Sequence, residues 1–322
     1  MLASTFAIIE LNSQADILAN LQAIEQGVAL AVQHNADCVV LPENAFCFGN
    51  QAHAAQFFEP LVDWCGKLAR QYDIHFLAGT LPCPFRPDGT KVADGKFRQS
   101  SLLFDPAGEL LARYDKIHLF KATVNDRTGN YDEGRTFEAG NQAIMAKTAI
   151  GNIGMMVCFD IRFAPLALRL RQMGAEILSA PSAFTFQTGK AHWQTLLTAR
   201  ALDSQCWMIG AGQTGEHFFV NKQGLQQRET WGHSQFVDAN GVTLDEAMPL
   251  VFDPNVPTSA LIAAAKRWLP TAKRPENLIT DESNLVSCLN SRVVIAQFDK
   301  TAQQHYRQAI DLYASQRFEV SL

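Results

Sequence analysis

Three polar residues follow predicted strands at the positions where an α/β fold usually gathers its active site. Glu43 follows one apolar strand, Lys116 follows a strand that ends at Tyr114, and Cys158 follows the apolar run at 153–157. The carboxylate can accept the thiol proton, and the thiol can attack a carbonyl carbon. The ammonium can stabilise the resulting oxyanion and favour the thiolate. The three types together predict hydrolytic chemistry.

The order of elements around Cys158 supports this interpretation. A strand leads into the thiol, and a helix-like stretch begins at Pro165 and ends before Gly174. This strand–turn–helix order places the thiol at a strand tip with the following backbone N–H groups facing the same point. We expect the backbone N–H of Phe159 and the ammonium of Lys116 to hold the oxyanion.

Each of these residues also has a plainer interpretation. Cys158 could be a small buried hydrophobic residue, and Lys116 an exposed lysine at a strand end. Glu43 could cap a helix that follows it. His118 or His192 could form a Cys–His dyad instead, and His118 could equally be a structural hydrogen-bonding residue. Position in the sequence does not decide among these alternatives.

Alternating strand and helix patterns in the first half of the chain predict packed α/β layers. Ser13, with Asp16 three residues later, resembles a capping box for the helix that follows. Hairpin signals then flank the turns at 105–108 and 151–152. The predicted strands are 6–11, 38–41, 74–78, 101–104, 109–114, 143–149, 153–157, 176–180, 206–210, 234–237, 242–244 and 293–298, and the later predicted helices are 192–205 and 301–315.

Composition limits the function classes. The 322 residues are 47% hydrophobic with a net charge of −5, and the 27 Lys and Arg are scattered, which argues against nucleic acid or an acidic membrane as a partner. Seven cysteines without a C-x-x-C pair do not predict a disulfide framework or a zinc site. The N-terminus reads as a first strand rather than a signal peptide, and no apolar run reaches the roughly 20 residues that span a bilayer. We therefore expect a cytoplasmic protein with free thiols.

No linker or repeat divides the chain, so residues 1–322 are predicted to form a single domain. The segment at about 247–290 breaks the regular alternation of elements because it holds five prolines and one short helix-like piece. Such long irregular segments are often lids, contact surfaces or mobile loops. We treat it as an insertion of unassigned role.

Three segments, 41–44, 114–120 and 154–163, resemble the signature segments of the nitrilase superfamily of carbon–nitrogen hydrolases, in that family's order. The resemblance runs from residue 6 to about 244 and resumes at 292. It implies a four-layer αββα sandwich and a catalytic triad of Glu43, Lys116 and Cys158. It also implies that no metal or organic cofactor is needed, and that the chain forms a homodimer or a higher homo-oligomer.

The segment 131–134 resembles the one that carries the family's second glutamate, so Glu133 is expected to position the lysine or the substrate amide. Without the resemblance, a solvated loop carboxylate would be the favoured interpretation of Glu133. Segments 183–193 and 199–206 resemble the branch that contains ω-amidases and deaminated glutathione amidases. Segments 212–217 and 232–234 are closer to the deaminated glutathione amidases.

The expected function is hydrolysis of a small-molecule linear primary amide to carboxylate and ammonia through a cysteine thioester, with deaminated glutathione as the candidate substrate. The alternatives are an ω-amidase acting on 2-oxoglutaramate-like or N-carbamoyl substrates, a nitrilase, and a noncatalytic metabolite-binding relative. A papain-like protease lacks its usual sequence around the nucleophile. Insertions at about 218–231 and 247–290 leave the substrate open. A substrate carboxylate calls for a cation, and the candidates are Arg127, Lys190, Lys222 and Arg228.

Overall fold

The computed structural model describes residues 3–126, 128–221, 224–244, 246–249, 291–315 and 317. Within these residues no helix has the length and apolar character needed to cross a membrane. The helices are α1 Ile17–Gln33, α2 Gln51–Gln56, α3 Phe58–Tyr72, α4 Ala164–Gln172, α5 Phe186–Ser204, α6 Lys300–Ala309 and α7 Leu312–Ser315, with 3₁₀ turns at Glu133–Arg135 and Cys158–Arg162.

The strands form two large sheets and two separate hairpins. They are β1 Ser4–Glu10, β2 Cys38–Val40, β3 His75–Leu77, β4 Leu81–Cys83, β5 Arg98–Phe104, β6 Leu110–Asp115, β7 Lys121–Thr123, β8 Asn130–Asp132, β9 Ile144–Ala146, β10 Ile153–Met155, β11 Ile177–Ser179, β12 Trp207–Gly210, β13 Thr214–Asn221, β14 Gly224–Trp231, β15 Gln235–Val237, β16 Glu246–Pro249 and β17 Arg292–Phe298.

The first sheet has the described order β16-β17-β1-β2-β3-β5-β4, with β6 paired to β5. Its centre, β1-β2-β3, is parallel, and β17 closes it by an antiparallel pairing with β1. The second sheet has the order β15-β12-β11-β10-β9, with β10, β11 and β12 parallel. The parallel centres arise from the strand–helix–strand units that the sequence predicts.

The side chains of β1 show how the layers stack. Phe6 and Ile8 belong to the same buried cluster as Met155 of β10, so this face of the first sheet packs on the second sheet. Ala7 and Ile9 belong to a second buried cluster together with the apolar residues of α1 and α3. Helices α4 and α5 cover the outer face of the second sheet. The predicted αββα sandwich is confirmed.

Gly154 in the middle of β10 lets helix α4 lie close to the strand that leads to Cys158. A Cβ at this position would lie 2.7 Å from a methyl carbon of Leu178 and 3.0 Å from Cβ of Leu170. No larger side chain fits without displacing the strand or the helix. The position of the thiol is therefore set by packing on the helix side of β10.

Three predicted local features differ in the structure. Ser13 does not cap α1, because Asp16 is the N-cap and its carboxylate accepts from the backbone N–H groups of Leu18 and Ala19. The Ser13 hydroxyl instead donates to the carbonyl of Ala45, 2.9 Å away. The last helix is split into α6 and α7. Helix α5 starts at Phe186, earlier than predicted, since Thr185 supplies its N-cap.

The two predicted insertions have different outcomes. Residues 218–221 and 224–231 belong to a regular antiparallel hairpin, β13–β14, which pairs Thr214 with Trp231 at one end and Asn221 with Gly224 at the other. The start of the second insertion, through Pro249, belongs to strand β16 rather than to an irregular segment. The remainder of the second insertion, 250–290, lies outside the described residues.

Candidate active site

Cys158 lies on a strained turn that begins three residues after the end of β10. Its φ is 49°, a left-handed conformation that side chains other than glycine rarely adopt. Its backbone N–H donates to the carbonyl of Pro181 at 2.8 Å, which ties the turn to the neighbouring strand end. The strain presents the thiol at the tip of the strand, where the strand–turn–helix order predicts it.

Asp160, two residues later and fully buried, holds this turn in place. Its carboxylate accepts from the backbone N–H of Val157 at 2.9 Å and from the hydroxyl of Tyr114 at 2.7 Å. It also accepts from the backbone N–H of His118 at 3.0 Å, with the His118 ring nitrogen 2.7 Å away. One carboxylate thus joins the Cys158 turn to the segment that carries Lys116.

Lys116 follows β6 directly, and its side chain is completely buried. Its ammonium lies 2.8 Å from a carboxylate oxygen of Glu43 and 2.8 Å from one of Glu133. A buried ammonium needs such partners, because desolvation otherwise favours its neutral form. Burial acts to lower the pKa of Lys116, but the charges of Glu133 and Glu43 outweigh it and hold the pKa well above its usual value.

Glu43 is 2% exposed, and each of its side-chain oxygens has a partner. One oxygen accepts from Lys116, and the other accepts from the backbone N–H of Ala183 at 3.1 Å. No helix starts at Asn44, since the following helix is α2 with Asn50 as its N-cap. The interpretation of Glu43 as a helix cap is therefore wrong.

Glu133 begins a 3₁₀ turn and faces the ammonium of Lys116 rather than solvent. One of its carboxylate oxygens also accepts from the backbone N–H of Phe120 at 2.7 Å. Burial raises the pKa of Glu133, whereas the charge of Lys116 opposes the rise. A solvated loop carboxylate would not contact a buried ammonium as Glu133 does. Glu133 and Glu43 share Lys116 as their partner.

The charges of Glu43, Lys116 and Glu133 all act on the thiol of Cys158. Burial raises its pKa well above the usual value, the carboxylates of Glu43 and Glu133 raise it further, and Lys116 lowers it by less. The sequence suggested that the ammonium would favour the thiolate. In the structure desolvation is the largest influence and favours the neutral thiol, so we expect a base to take its proton during attack.

The two histidines considered as dyad partners have other contacts. His118 pairs with the Asp160 carboxylate and stacks on Phe163, with 3.7 Å between ring centroids. His192 lies 3.2 Å from the guanidinium of Arg162. Among the described residues the groups that surround the thiol electrostatically are Glu43, Lys116, Glu133 and Arg162, so no Cys–His dyad forms.

A small reaction pocket, about 20 Å³ in volume, lies beside these residues. Its walls include Cys158, Glu43, Glu133 and Phe159. Cavities of this size hold about one water molecule. Across the described residues, no group of three or more His, Cys, Asp or Glu side chains could hold a metal ion.

Two arginines line the reaction pocket, and the sequence singled out only one of them as a cation. Arg228, from β14, has its guanidinium over the rings of Phe48 and Tyr131 at 5.3 and 5.1 Å and donates to the carbonyl of Ala183. Arg162 is the one not foreseen as a cation. In the sequence, Arg162 could have been recognised as the one cation in a largely apolar segment, four residues after Cys158.

The other cation candidates lie elsewhere. Lys190 is exposed on α5 and does not line the pocket. Arg127 and Lys222 lie outside the described residues. Within the described chain neither Arg162 nor Arg228 forms an ion pair with a carboxylate of the protein. Both can therefore accept an anionic group of a substrate.

His217 fixes the hairpin that carries Arg228. Its ring is fully buried and stacks on Phe48 at 3.8 Å, with one nitrogen 2.7 Å from the carbonyl of Ser13 and the other 2.7 Å from the hydroxyl of Thr230. His217 and Arg228 are directly paired across the hairpin. Burial lowers the pKa of His217 to about 3, so the ring is neutral.

Comparisons with known proteins agree with this fold. The carbon-nitrogen hydrolase family matches residues 5–250. The deaminated glutathione amidase of Yersinia enterocolitica is 40% identical over 240 residues, covering 73% of this chain and 79% of that protein. The corresponding protein of Synechocystis sp. (strain PCC 6803 / GT-S) is 36% identical over 248 residues, covering 75% and 86%.

The fold also matches a solved structure. Saccharomyces cerevisiae Nit3, a member of branch 10 of the nitrilase superfamily, superposes with a TM-score of 0.70 at 23% identity over 98% of this chain and 97% of Nit3. The chain belongs to the carbon–nitrogen hydrolase family. It is an amide-hydrolysing enzyme.

Replacing Asp160 by Asn tests whether one carboxylate holds the Cys158 turn. The partners of the Asp160 carboxylate are three donors and a ring nitrogen, so an amide NH₂ in its place leaves at least one buried donor unpaired. We expect the unfolding free energy to fall by about 1–3 kcal/mol. We also expect turnover to fall with it, measured by urea unfolding and amide hydrolysis. Asp63→Asn on the exposed face of α3 is the control, and equal behaviour of the two variants would contradict the role.

Replacing His217 by Gln tests the buried neutral ring. The pKa of His217 in the folded protein lies below its usual value in the unfolded chain. Below about pH 6.5 the unfolded state therefore binds more protons, and the unfolding free energy decreases as the pH is lowered. From about pH 7 to about pH 5 the wild type should lose about 2 kcal/mol more unfolding free energy than His217→Gln. Urea unfolding at both pH values measures this difference. Parallel loss in the two proteins would show that His217 is not the titrating group.

Proposed function

We propose that the chain is a thiol-dependent amidase that cleaves a linear amide through a thioester on Cys158. The observation that supports this most is the buried ammonium of Lys116, held between Glu43 and Glu133 beside a buried thiol. Burying the Lys116–Glu43 ion pair beside a nucleophile costs stability, and such an arrangement is typical of a functional site. Acyl transfer needs this set: a nucleophile, a base and a cation.

In the first half of the reaction, the sulfur of Cys158 attacks the amide carbon while Glu43 accepts the thiol proton. The C=O π bond opens and its electron pair becomes the oxyanion. Lys116 and the backbone N–H of Phe159 stabilise this charge. Glu43 then donates its proton to the amide nitrogen, the C–N bond breaks, and a thioester remains on Cys158. The leaving group is ammonia from a primary amide and a free amine from a substituted amide.

In the second half, Glu43 accepts a proton from water while the water oxygen attacks the thioester carbon. The C–S bond breaks, Cys158 recovers its proton from Glu43, and the carboxylic acid leaves. Glu133 keeps the ammonium of Lys116 charged and in place throughout, because it contacts Lys116 and the backbone of Phe120 together. The reaction needs no metal or organic cofactor.

The charge of the pocket indicates the kind of amide. Glu43 and Glu133 are both paired with Lys116, whereas Arg162 and Arg228 have no carboxylate partner among the described residues. An acyl group that carries its own carboxylate would form charge-assisted hydrogen bonds with these guanidinium groups. The names of the relatives suggest deaminated glutathione as the candidate substrate, in which the amide nitrogen carries a dipeptide. 2-Oxoglutaramate has the same acyl group on a primary amide.

Replacing Cys158 by Ala should abolish release of 2-oxoglutarate from both amides, because no thioester can form. The fold should persist, since the substitution removes one sulfur from the pocket wall. Mass spectrometry of the wild type quenched during turnover should show the acyl group on the peptide that contains Cys158. Cys83→Ala, at a buried position in strand β4, is the matched control and should keep its activity.

Turnover by Cys158→Ala near the wild-type rate would contradict the mechanism. A wild type that hydrolyses neither amide would contradict the substrate class and leave the family assignment unchanged. An acyl group found on a different cysteine would contradict the identity of the nucleophile.

A further inference from the structure

Asn44 lines the reaction pocket directly beside Glu43 and has no part in the mechanism above. Its φ is 59°, a left-handed conformation that asparagine adopts more readily than most residues. Its backbone N–H donates to the hydroxyl of Thr80 at 2.9 Å. The backbone that carries the Asn44 side chain is therefore held in one conformation at the pocket wall.

Two glutamines fix the orientation of the Asn44 amide. Nε2 of Gln51 donates to Oδ1 of Asn44 at 3.0 Å, and Nε2 of Gln99 donates to the same oxygen at 2.8 Å. Nε2 of Gln51 also lies 3.5 Å from the backbone carbonyl of Cys47. A carbonyl can only accept, so this atom of Gln51 is an NH₂ and the Asn44 atom that it contacts is the oxygen.

The NH₂ group of Asn44 is then the part of the side chain that remains without a partner. Among the described residues it has no acceptor, whereas Oδ1 has two donors. The side-chain oxygens of Gln51 and Gln99 are enclosed, and the Asn44 NH₂ is not. The space that Asn44 lines is the reaction pocket. A fixed donor is therefore available there to an acceptor atom of the substrate.

Gln99 also connects Asn44 to the segment that carries Lys116. Its backbone carbonyl accepts from the backbone N–H of Lys116 at 2.9 Å, while its side chain holds the Asn44 amide. On its other side Asn44 is bonded to Glu43. The Asn44 NH₂ thus keeps a fixed place relative to the ammonium and the carboxylate of the site, as a group that recognises substrate has to do.

The charged groups of the pocket wall add to this donor character. Arg162 and Arg228 have no carboxylate partner among the described residues, and a guanidinium can only donate. Glu43 and Glu133 are both paired with Lys116. An ammonium on the acyl group would meet donors and positive charge here. The wall therefore favours an acyl group whose polar substituents are acceptors.

We propose that Asn44 is a specificity-determining residue whose NH₂ donates to an oxo group next to the carboxylate of the acyl group. The inference rests on the proposed function, because it assumes that an acyl group with its own carboxylate lies in the reaction pocket. An oxo group accepts from the Asn44 NH₂. An amino group at the same carbon is charged at neutral pH and presents only hydrogens to it. The enzyme therefore selects 2-oxo amides over the corresponding 2-amino amides.

Replacing Asn44 by Asp tests this contact. The substitution keeps the oxygen that Gln51 and Gln99 contact and turns the group that faces the substrate from a donor into an acceptor. Turnover is compared for 2-oxoglutaramate, for glutamine and for glutaramate, which has no substituent next to the carboxylate. We expect the ratio of kcat/KM for 2-oxoglutaramate to that for glutaramate to fall about tenfold, and the ratio for glutamine to rise. Ring closure of the free 2-oxo amide cancels, because each ratio is compared between enzymes.

Asn35→Asp is the matched control. Asn35 is exposed after α1, has the same φ of 59° and makes the same change of charge away from the pocket, so both ratios should stay at the wild-type values. A second measurement needs no turnover. Calorimetry with 2-oxoglutarate and glutarate should show that Asn44→Asp lowers the preference for the oxo acid by about tenfold.

An equal loss for all amides in Asn44→Asp would overturn the inference, because Asn44 would then support Glu43 without contacting the substituent. A binding preference that Asn44→Asp leaves unchanged, or no binding of either acid to the wild type, would overturn it as well. A wild type that binds 2-oxoglutarate through Asn44 and hydrolyses none of the amides would contradict the proposed function alone.

Discussion

The burial of one ammonium between two carboxylates is the interaction on which the rest of the site depends. Lys116 is completely buried, and an unpaired charge there would cost several kcal/mol of stability. Glu43 and Glu133 compensate that cost from two other segments of the chain. The same contact brings the ends of β2 and β6 together beside Cys158. The αββα layers have to form before these charges can meet, so the fold and the chemistry depend on one another.

Residue type and position singled out the central residues of the site, but the family resemblance was needed to prefer a catalytic role over their plainer interpretations. Glu43, Lys116 and Cys158 are polar residues after apolar strands, and such residues are gathered at one edge of a layered sheet. The central strands were predicted to within about two residues, because buried parallel strands have a strong apolar pattern. The role of Glu133 depended on resemblance, since a glutamate in a loop carries no local signal that it contacts a distant lysine.

The remainder depended on contacts between distant segments. The Asp160 carboxylate accepts hydrogen bonds from both the backbone of Val157 and the side chain of Tyr114. The spacing of these residues in the sequence does not predict the two contacts. The raised pKa of the Cys158 thiol follows from its burial, because desolvation raises the pKa by more than the charge of Lys116 lowers it. The hairpin β13–β14 was predicted only as extra length, although its turn begins at an asparagine and ends at a glycine. The hairpin lies beside the reaction pocket, where Arg228 forms part of the wall.

The protonation state of the resting nucleophile tests the central claim most directly. Thiolates absorb in the ultraviolet where thiols do not, so the difference between wild type and Cys158→Ala reports the charge on this one sulfur as pH is varied. Burial beside Glu43 predicts no thiolate signal from Cys158 at neutral pH in the free enzyme. A thiolate signal at neutral pH would contradict the account, because Lys116 would then outweigh desolvation and Glu43 would not be needed as the base for attack.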